Sequence, residues 1–299
     1  MKSKHFYGFL LLGSGFLLNG YLLFLTFSWN VHMGILMSAI FLGYSALFLA
    51  LIAFSISPYL TPKLREKLLW SRAVILDFFL QCYVMCFLFF LNHKKLRVLG
   101  NGTPILLVHG YIHPSSVWLH LMRTLKKGGF GPIYVVKLGS PFDSIEEYAQ
   151  KLGQTVDEVN NESKKDRFML IGHSMGGLVS AYYATHLDKQ KRVTHVITIS
   201  SPLKGTKVAK IGIGKSVAEM ALDSPFTEKL MQDIKKEKKM KLFSIGSKTD
   251  QIIVPYTSSF IYDDHAHCLV LDGVGHIGVL FSRKVYRKVM EWLRTPSKD

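Results

Sequence analysis

The hexapeptide Gly172-His173-Ser174-Met175-Gly176-Gly177 constrains the fold of this chain more than any other segment. An apolar run, FMLI at 168–171, leads into it, and another, LVSAYYA at 178–184, leads out. The first has the length of a buried strand and the second the character of a packed helix. Passing from strand to helix within so few residues brings the two backbones almost into contact. The positions two before and two after the serine must therefore be small. Gly172 and Gly176 meet that demand, and Gly177 allows closer packing still. A bare GxSxG occurs by chance, but one set between such a strand and such a helix predicts a sharp turn with Ser174 at its tip.

The sequence around this turn alternates strand and helix patterns. Short apolar runs at 104–108, 133–136, 168–171, 193–199, 241–245 and 268–271 read as strands. Between and after them, 116–127, 144–159, 178–187 and 279–293 carry helical spacing, and Ser144 with Glu147 forms a capping-box pattern. Such alternation predicts an α/β domain: a mostly parallel sheet with helices on both faces.

Composition matters because the chain is not uniform. Its 299 residues are 48% hydrophobic yet carry 37 Lys+Arg against 21 Asp+Glu, a formal net charge of +16. A positive mean hydropathy of +0.20 alongside such a charge indicates two unlike regions. Residues 1–91 hold 60 of the apolar residues and a net charge of +4, leaving +12 for residues 92–299. Three apolar runs, 6–27, 31–57 and 73–91, are each long enough to span a hydrocarbon core of about 30 Å. They predict about three transmembrane helices rather than a cleaved signal peptide, because the first run is too long and no A-x-A-like site follows it. Asp77 and Gln81 interrupt the third run, which has an alternative as a helix lying in the interface or packed on the soluble domain. Lys2 and Lys4 at the head, and Lys63, Arg65, Lys67 and Arg72 in the second connection, set the orientation. By the positive-inside rule the expectation is a multi-pass integral membrane protein with residues 92 onward on the extracytoplasmic side. The domain boundary is expected in a linker at 92–103. Three cysteines, with no CxxC or Cys/His cluster, imply neither a disulfide framework nor a metal site, and no cofactor motif occurs.

Ser174 needs a base to act as a nucleophile. Among the downstream histidines, His186 lies in the turn's own helix and His195 in a strand, whereas His265 and His267 occupy a polar stretch. His276 lies in Gly273-Val274-Gly275-His276-Ile277-Gly278, a flexible turn between the last strand and the last helix, and is the favoured base. The base in turn needs an acid to fix its tautomer. Asp250, in the loop after the strand at 241–245, is the favoured acid, with Asp223 in reserve and Asp263, Asp264 and Asp272 as competitors. An oxyanion would be held by the backbone N–H of Met175 and by that of Tyr111, in the loop after the first strand. His109, immediately after that strand, is expected to shape the loop rather than to act as a base.

These segments together resemble the α/β-hydrolase superfamily, and within it the lipases and esterases. The resemblance covers 104–293 and rests on Leu107-Val108-His109-Gly110-Tyr111, Gly172–Gly177, the segment 247–255 and Gly275-His276. It implies the order Ser174, Asp250, His276 for a catalytic set. Ser201-Pro202-Leu203-Lys204-Gly205-Thr206 is similar to the Pro-His-x-Gly-Thr of many lipases but has Leu203 where they have histidine. The stretch 201–240 lies where this fold inserts its cap, and Ile211, Ile213, Val217, Met220 and Leu222 make it amphipathic. It reads equally as a mobile lid or as a cap packed on the sheet. The lysines 229, 235, 236, 238, 239 and 241 form a basic cluster, a solvated helix face or a contact for anionic headgroups. Nucleic acid is not an expected partner. The expected function is hydrolysis of carboxylic esters, lipid-like ones above all, at a membrane. Acyl transfer or thioester cleavage would use the same residues, and a non-catalytic membrane interaction or sensor protein is the alternative from another class.

Overall fold

The computed structural model describes residues 64–84, 96–237, 239–261 and 267–297. The expected spans 6–27 and 31–57 lie outside the described residues, as do His265, Asp263 and Asp264.

A seven-stranded sheet forms the centre. In chain order its strands are β1 (Arg97–Val98), β2 (Ile105–Val108), β3 (Ile133–Val136), β4 (Phe168–His173), β5 (Val193–Ile199), β6 (Lys241–Ser247) and β7 (Cys268–Leu271). Across the sheet they run β1-β3-β2-β4-β5-β6-β7. Every pairing is parallel except that of β1 with β3. β4, which carries the Ser174 turn at its end, lies at the middle between β2 and β5.

The near-continuous apolar sequences of the strands follow from burial on both faces. Leu106, Val108, Leu170 and Val196 face one core, which they share with α3 (Ile145–Ser163) and α4 (Met175–Tyr182). Ile105, Leu107, Ile171, Ile197 and Ile199 face the other, with α2 (Leu119–Lys127) and α7 (Arg283–Leu293). α3 starts where the sequence marks it. The Ser144 hydroxyl accepts from the Glu147 amide at 3.1 Å, and the Glu147 carboxylate accepts from the Ser144 amide at 2.6 Å.

The stretch 201–240 divides in two. Two helices, α5 (Lys215–Glu219) and α6 (Pro225–Lys236), bury Val217, Leu230 and Ile234 in the core beside α3 and α4. The segment at 207–214 instead leaves Ile211 and Ile213 exposed.

Two boundaries differ from expectation. The sheet already begins within the expected linker 92–103, because β1 pairs with β3 there. The third expected span, 73–91, is described as far as residue 84, where it belongs to a helix that starts earlier, α1 (Leu64–Tyr83). Among the described residues no helix is long and apolar enough to cross a membrane. α1 packs on the sheet domain: Ala73 and Asp77 are buried, Val84 just beyond it joins the core beside α2 and α7, and Tyr83 hydrogen bonds His120 at 3.1 Å. The physical reason is the mixed character of the helix. Four charges, at Arg65, Glu66, Lys67 and Arg72, fill its first turns, and Asp77 finds hydrogen-bond donors on the domain.

Candidate active site

Ser174 connects β4 directly to α4 with φ 54° and ψ −125°, a backbone conformation that side-chain-bearing residues rarely hold. A side chain at Gly172 would sit 2.3 Å from the Gly176 carbonyl oxygen and 2.5 Å from the Gly177 Cα, so the crossing of strand and helix admits only hydrogen there. The serine amide donates to the Ile199 carbonyl at 2.9 Å, tying the turn to the end of β5. Met175 opens α4, so its N–H is one of the unpaired amides of a helix N-terminus. The loop after β2 passes close by: a Cβ on Gly110 would lie 2.9 Å from the Ser174 Cβ. Tyr111 follows in that loop, its hydroxyl donating to the Ile213 carbonyl at 2.7 Å.

Asp250 and His276, 26 residues apart, come together. The His276 Nδ1 lies 3.0 and 3.1 Å from the two carboxylate oxygens of Asp250, and both residues are buried. The carboxylate also accepts from the amides of Ile252 and Ile253 at 2.8 and 2.9 Å, which fixes its orientation. The His276 carbonyl accepts from the Nε2 of His173, the residue before Ser174, at 3.1 Å, and the two imidazole rings lie 4.8 Å apart. This contact brings the His276 loop against the serine turn.

Four histidines, 109, 113, 173 and 276, lie near one another, and their protonation separates them. Burial lowers His109 and His173, and pushes His113 down to about 3. His276 is buried too, which alone would lower it. The Asp250 charge and hydrogen bond, with a smaller contribution from Asp77, more than offset that and leave it above the ordinary imidazole value. Of the four, it alone has a carboxylate against its ring to stabilise the protonated form.

The other sequence candidates lie elsewhere. His186 pairs with Asp233 at 3.1 Å, and His195 bonds Thr194 and Thr295. His267 stacks on Phe243. Asp223 is in the turn before α6, and Asp272 bonds the amide of Gly273. His109 contacts the carbonyl of Gly110 and so stiffens its own loop. Among the described residues, no group of three or more His, Cys, Asp or Glu side chains is placed to hold a metal ion.

Sequence reasoning did not select the residues that hold the His276 loop. The Val274 carbonyl accepts from Ser247 and from Thr249, the latter at 2.9 Å. The His276 amide donates to the Gln251 side chain at 3.3 Å. Asp77 of α1 supplies a further contact. Its signal in the sequence was a lone carboxylate in an apolar run; what it would bind was not readable.

Residues 142–274 match the family model described as PGAP1-like alpha/beta domain, somewhat less than half of the chain. Among solved structures, lipase BlEst2 of Bacillus licheniformis in its mature form is 16% identical, with a TM-score of 0.54 over 64% of this chain and 92% of that one. Lipase B of Aspergillus fumigatus is 15% identical, with a TM-score of 0.57 over 66% of this chain and 53% of that one. A structure from a study of LipS and LipT, two metagenome-derived lipolytic enzymes, gives 14% and 0.53 over 68% and 98%. The fold is that of the α/β-hydrolases. β4, β6 and β7 run parallel, so the segments after them that carry Ser174, Asp250 and His276 all leave the sheet at its C-terminal edge, where sites of open α/β folds assemble.

Proposed function

We propose that this protein is a membrane-anchored serine hydrolase of carboxylic esters, with lipid-like acyl esters as substrates. The observation that carries the reading is the buried Asp250–His276 pair held against the strained Ser174 turn. Ser174 attacks the ester carbonyl while His276 takes its proton; the alcohol leaves with that proton. His276 then removes a proton from water, which attacks the acyl-enzyme, and returns that proton to the Ser174 oxygen as the acid is released. Asp250 holds the tautomer that keeps Nε2 free and stabilises the imidazolium. The amides of Met175 and Tyr111 hold the developing oxyanion.

A lipid-like substrate is supported by the apolar side chains exposed on loops at this edge. Ile112 follows the oxyanion loop, Phe142 the loop after β3, and Ile211 and Ile213 belong to the cap; all four are about half exposed. They are linked: Tyr111 bonds the Ile213 carbonyl, and the Lys215 amide bonds that of Phe142 at 3.2 Å. The anchor rests on the apolar runs 6–27 and 31–57, and the extracytoplasmic side on the lysine and arginine asymmetry. Lysines 229, 235 and 236 on α6 offer a contact to anionic headgroups.

The full-length chain in detergent tests the reading. A fluorophosphonate probe labels wild type and fails to label Ser174→Ala, and p-nitrophenyl esters of rising chain length are cleaved with a preference for longer acyl groups. Unlabelled wild type, or equal labelling of Ser174→Ala, overturns the serine mechanism. A strong preference for acetyl overturns the lipid-like substrate. Membrane pelleting in alkaline carbonate tests the anchor, and release into the supernatant overturns it.

A further inference from the structure

The backbone around His276 is gripped on several sides, and one grip comes from far along the chain. Asp77, in the last turns of α1, is 4% exposed. Its Oδ2 accepts from the Ile277 amide at 2.9 Å, and its Oδ1 from the Gly278 amide at 2.7 Å. These are the first two amides after His276. Both belong to the start of the 3₁₀ turn Gly278–Phe281, so the carboxylate caps that turn while fixing the exit from the histidine. Ser247, Thr249, Gln251 and His173 hold the Val274 carbonyl and the His276 amide and carbonyl of the same loop.

The fit is close. A Cβ on Gly275 would lie 2.3–2.6 Å from the three carboxyl atoms of Asp77. Glycine before His276 therefore serves the approach of this carboxylate. Asp250 holds the ring of His276, and Asp77 holds its main chain.

We propose that Asp77 is a positioning residue for His276, so that a helix N-terminal to the sheet sets the catalytic geometry. The proposal rests on the reading of His276 as general base. Asparagine at 77 would keep the shape but turn an NH₂ toward an amide N–H, and alanine would leave both amides without an acceptor. Either lets the loop shift, and a misplacement of about 1 Å at a general base costs on the order of 100-fold.

The test uses the full-length chain in detergent, with fluorophosphonate labelling rates and kcat and KM on p-nitrophenyl butyrate. Asp77→Asn and Asp77→Ala are expected to lower kcat and the labelling rate about 10- to 100-fold, with KM changed by less than about twofold. Gly275→Ala, which displaces the carboxylate from the opposite side, is expected to do the same, and stands in if the Asp77 variants do not fold. Tyr83→Phe removes the α1 bond to His120 away from the loop. It is expected to lower Tm while keeping kcat. Wild-type kcat in folded Asp77→Asn or Gly275→Ala overturns the proposal, as does a loss in Tyr83→Phe equal to theirs, which would mean that helix docking as a whole matters rather than the carboxylate. Wild type that does not label overturns the serine-hydrolase reading and this inference with it. Labelled wild type with unaffected Asp77 variants overturns this inference alone.

Discussion

In the proposed mechanism His276 has two separable parts, a ring that must change protonation and a backbone that must stay still. The ring is governed by Asp250. Burial opposes the imidazolium, yet the carboxylate holds the pKa above the ordinary value of 6.5. A general base must be neutral to accept a proton. kcat/KM is therefore expected to rise with pH through a midpoint above 6.5, and to fall as pH drops below it. Asp250→Asn removes the charge that stabilises the imidazolium, so the midpoint should move to lower pH. It should also lower kcat about 10⁴-fold by releasing the tautomer. A pH–rate profile of both proteins checks this, and an unmoved acid limb would contradict it. The neutral histidines 109, 113 and 173 are expected to contribute no ionisation near pH 7.

The serine turn is the most demanding of the elements. β4 and α4 cross at a separation where a methyl group at position 172 would meet main chain rather than a movable side chain. Gly172→Ala is expected to destabilise by more than about 3 kcal/mol, or to prevent folding, because neither element can withdraw from the sheet. Thermal melting monitored by circular dichroism measures it, and a Tm within 2–3 °C of wild type (about 1 kcal/mol at this size) would show the crossing to be looser than described. The start of α3 offers a milder comparison. Ser144→Ala loses the cap accepted from Glu147 and should cost about 1 kcal/mol without touching kcat. The cap obeys a different logic. α5 and α6 are packed into the core, while Ile211 and Ile213 remain outside it. Ile211→Ser with Ile213→Ser is expected to leave Tm unchanged and to reduce turnover of long-chain esters more than that of butyrate.

At the scale of the whole molecule, α1 is held on the sheet domain by buried contacts. Its removal would uncover the Ile277 and Gly278 amides, Tyr83's partner His120 and the face beside Phe281. A chain beginning at residue 64 is therefore expected to be markedly more stable and more active than one beginning at residue 92. Melting and fluorophosphonate labelling of the two truncations decide it, and equal behaviour would mean that α1 is a passenger.

The sequence alone determined the alternation of strand and helix, because a parallel sheet covered on both faces demands continuous apolar strands that stand out from amphipathic helices. The runs at 133–136, 193–199 and 268–271 reappear as β3, β5 and β7 with the same limits. It also determined the turn at Ser174, since only small residues permit that crossing. It pointed to Asp250 and His276, each in a loop after a strand, from residue type and position. Tertiary structure decided what periodicity cannot carry. β1 is two residues long and acquires its identity only by pairing with β3. The part of α1 from residue 73 reads as the start of a span at 73–91, with a helix packed on the domain as the alternative, because a hydropathy window sums apolar residues without knowing their neighbours. What turns it into a docked helix is the meeting of Asp77 with two amides 200 and 201 positions later in the chain. A carboxylate in an apolar run is costly until something donates to it, and the donors exist only once the His276 loop has folded beside it.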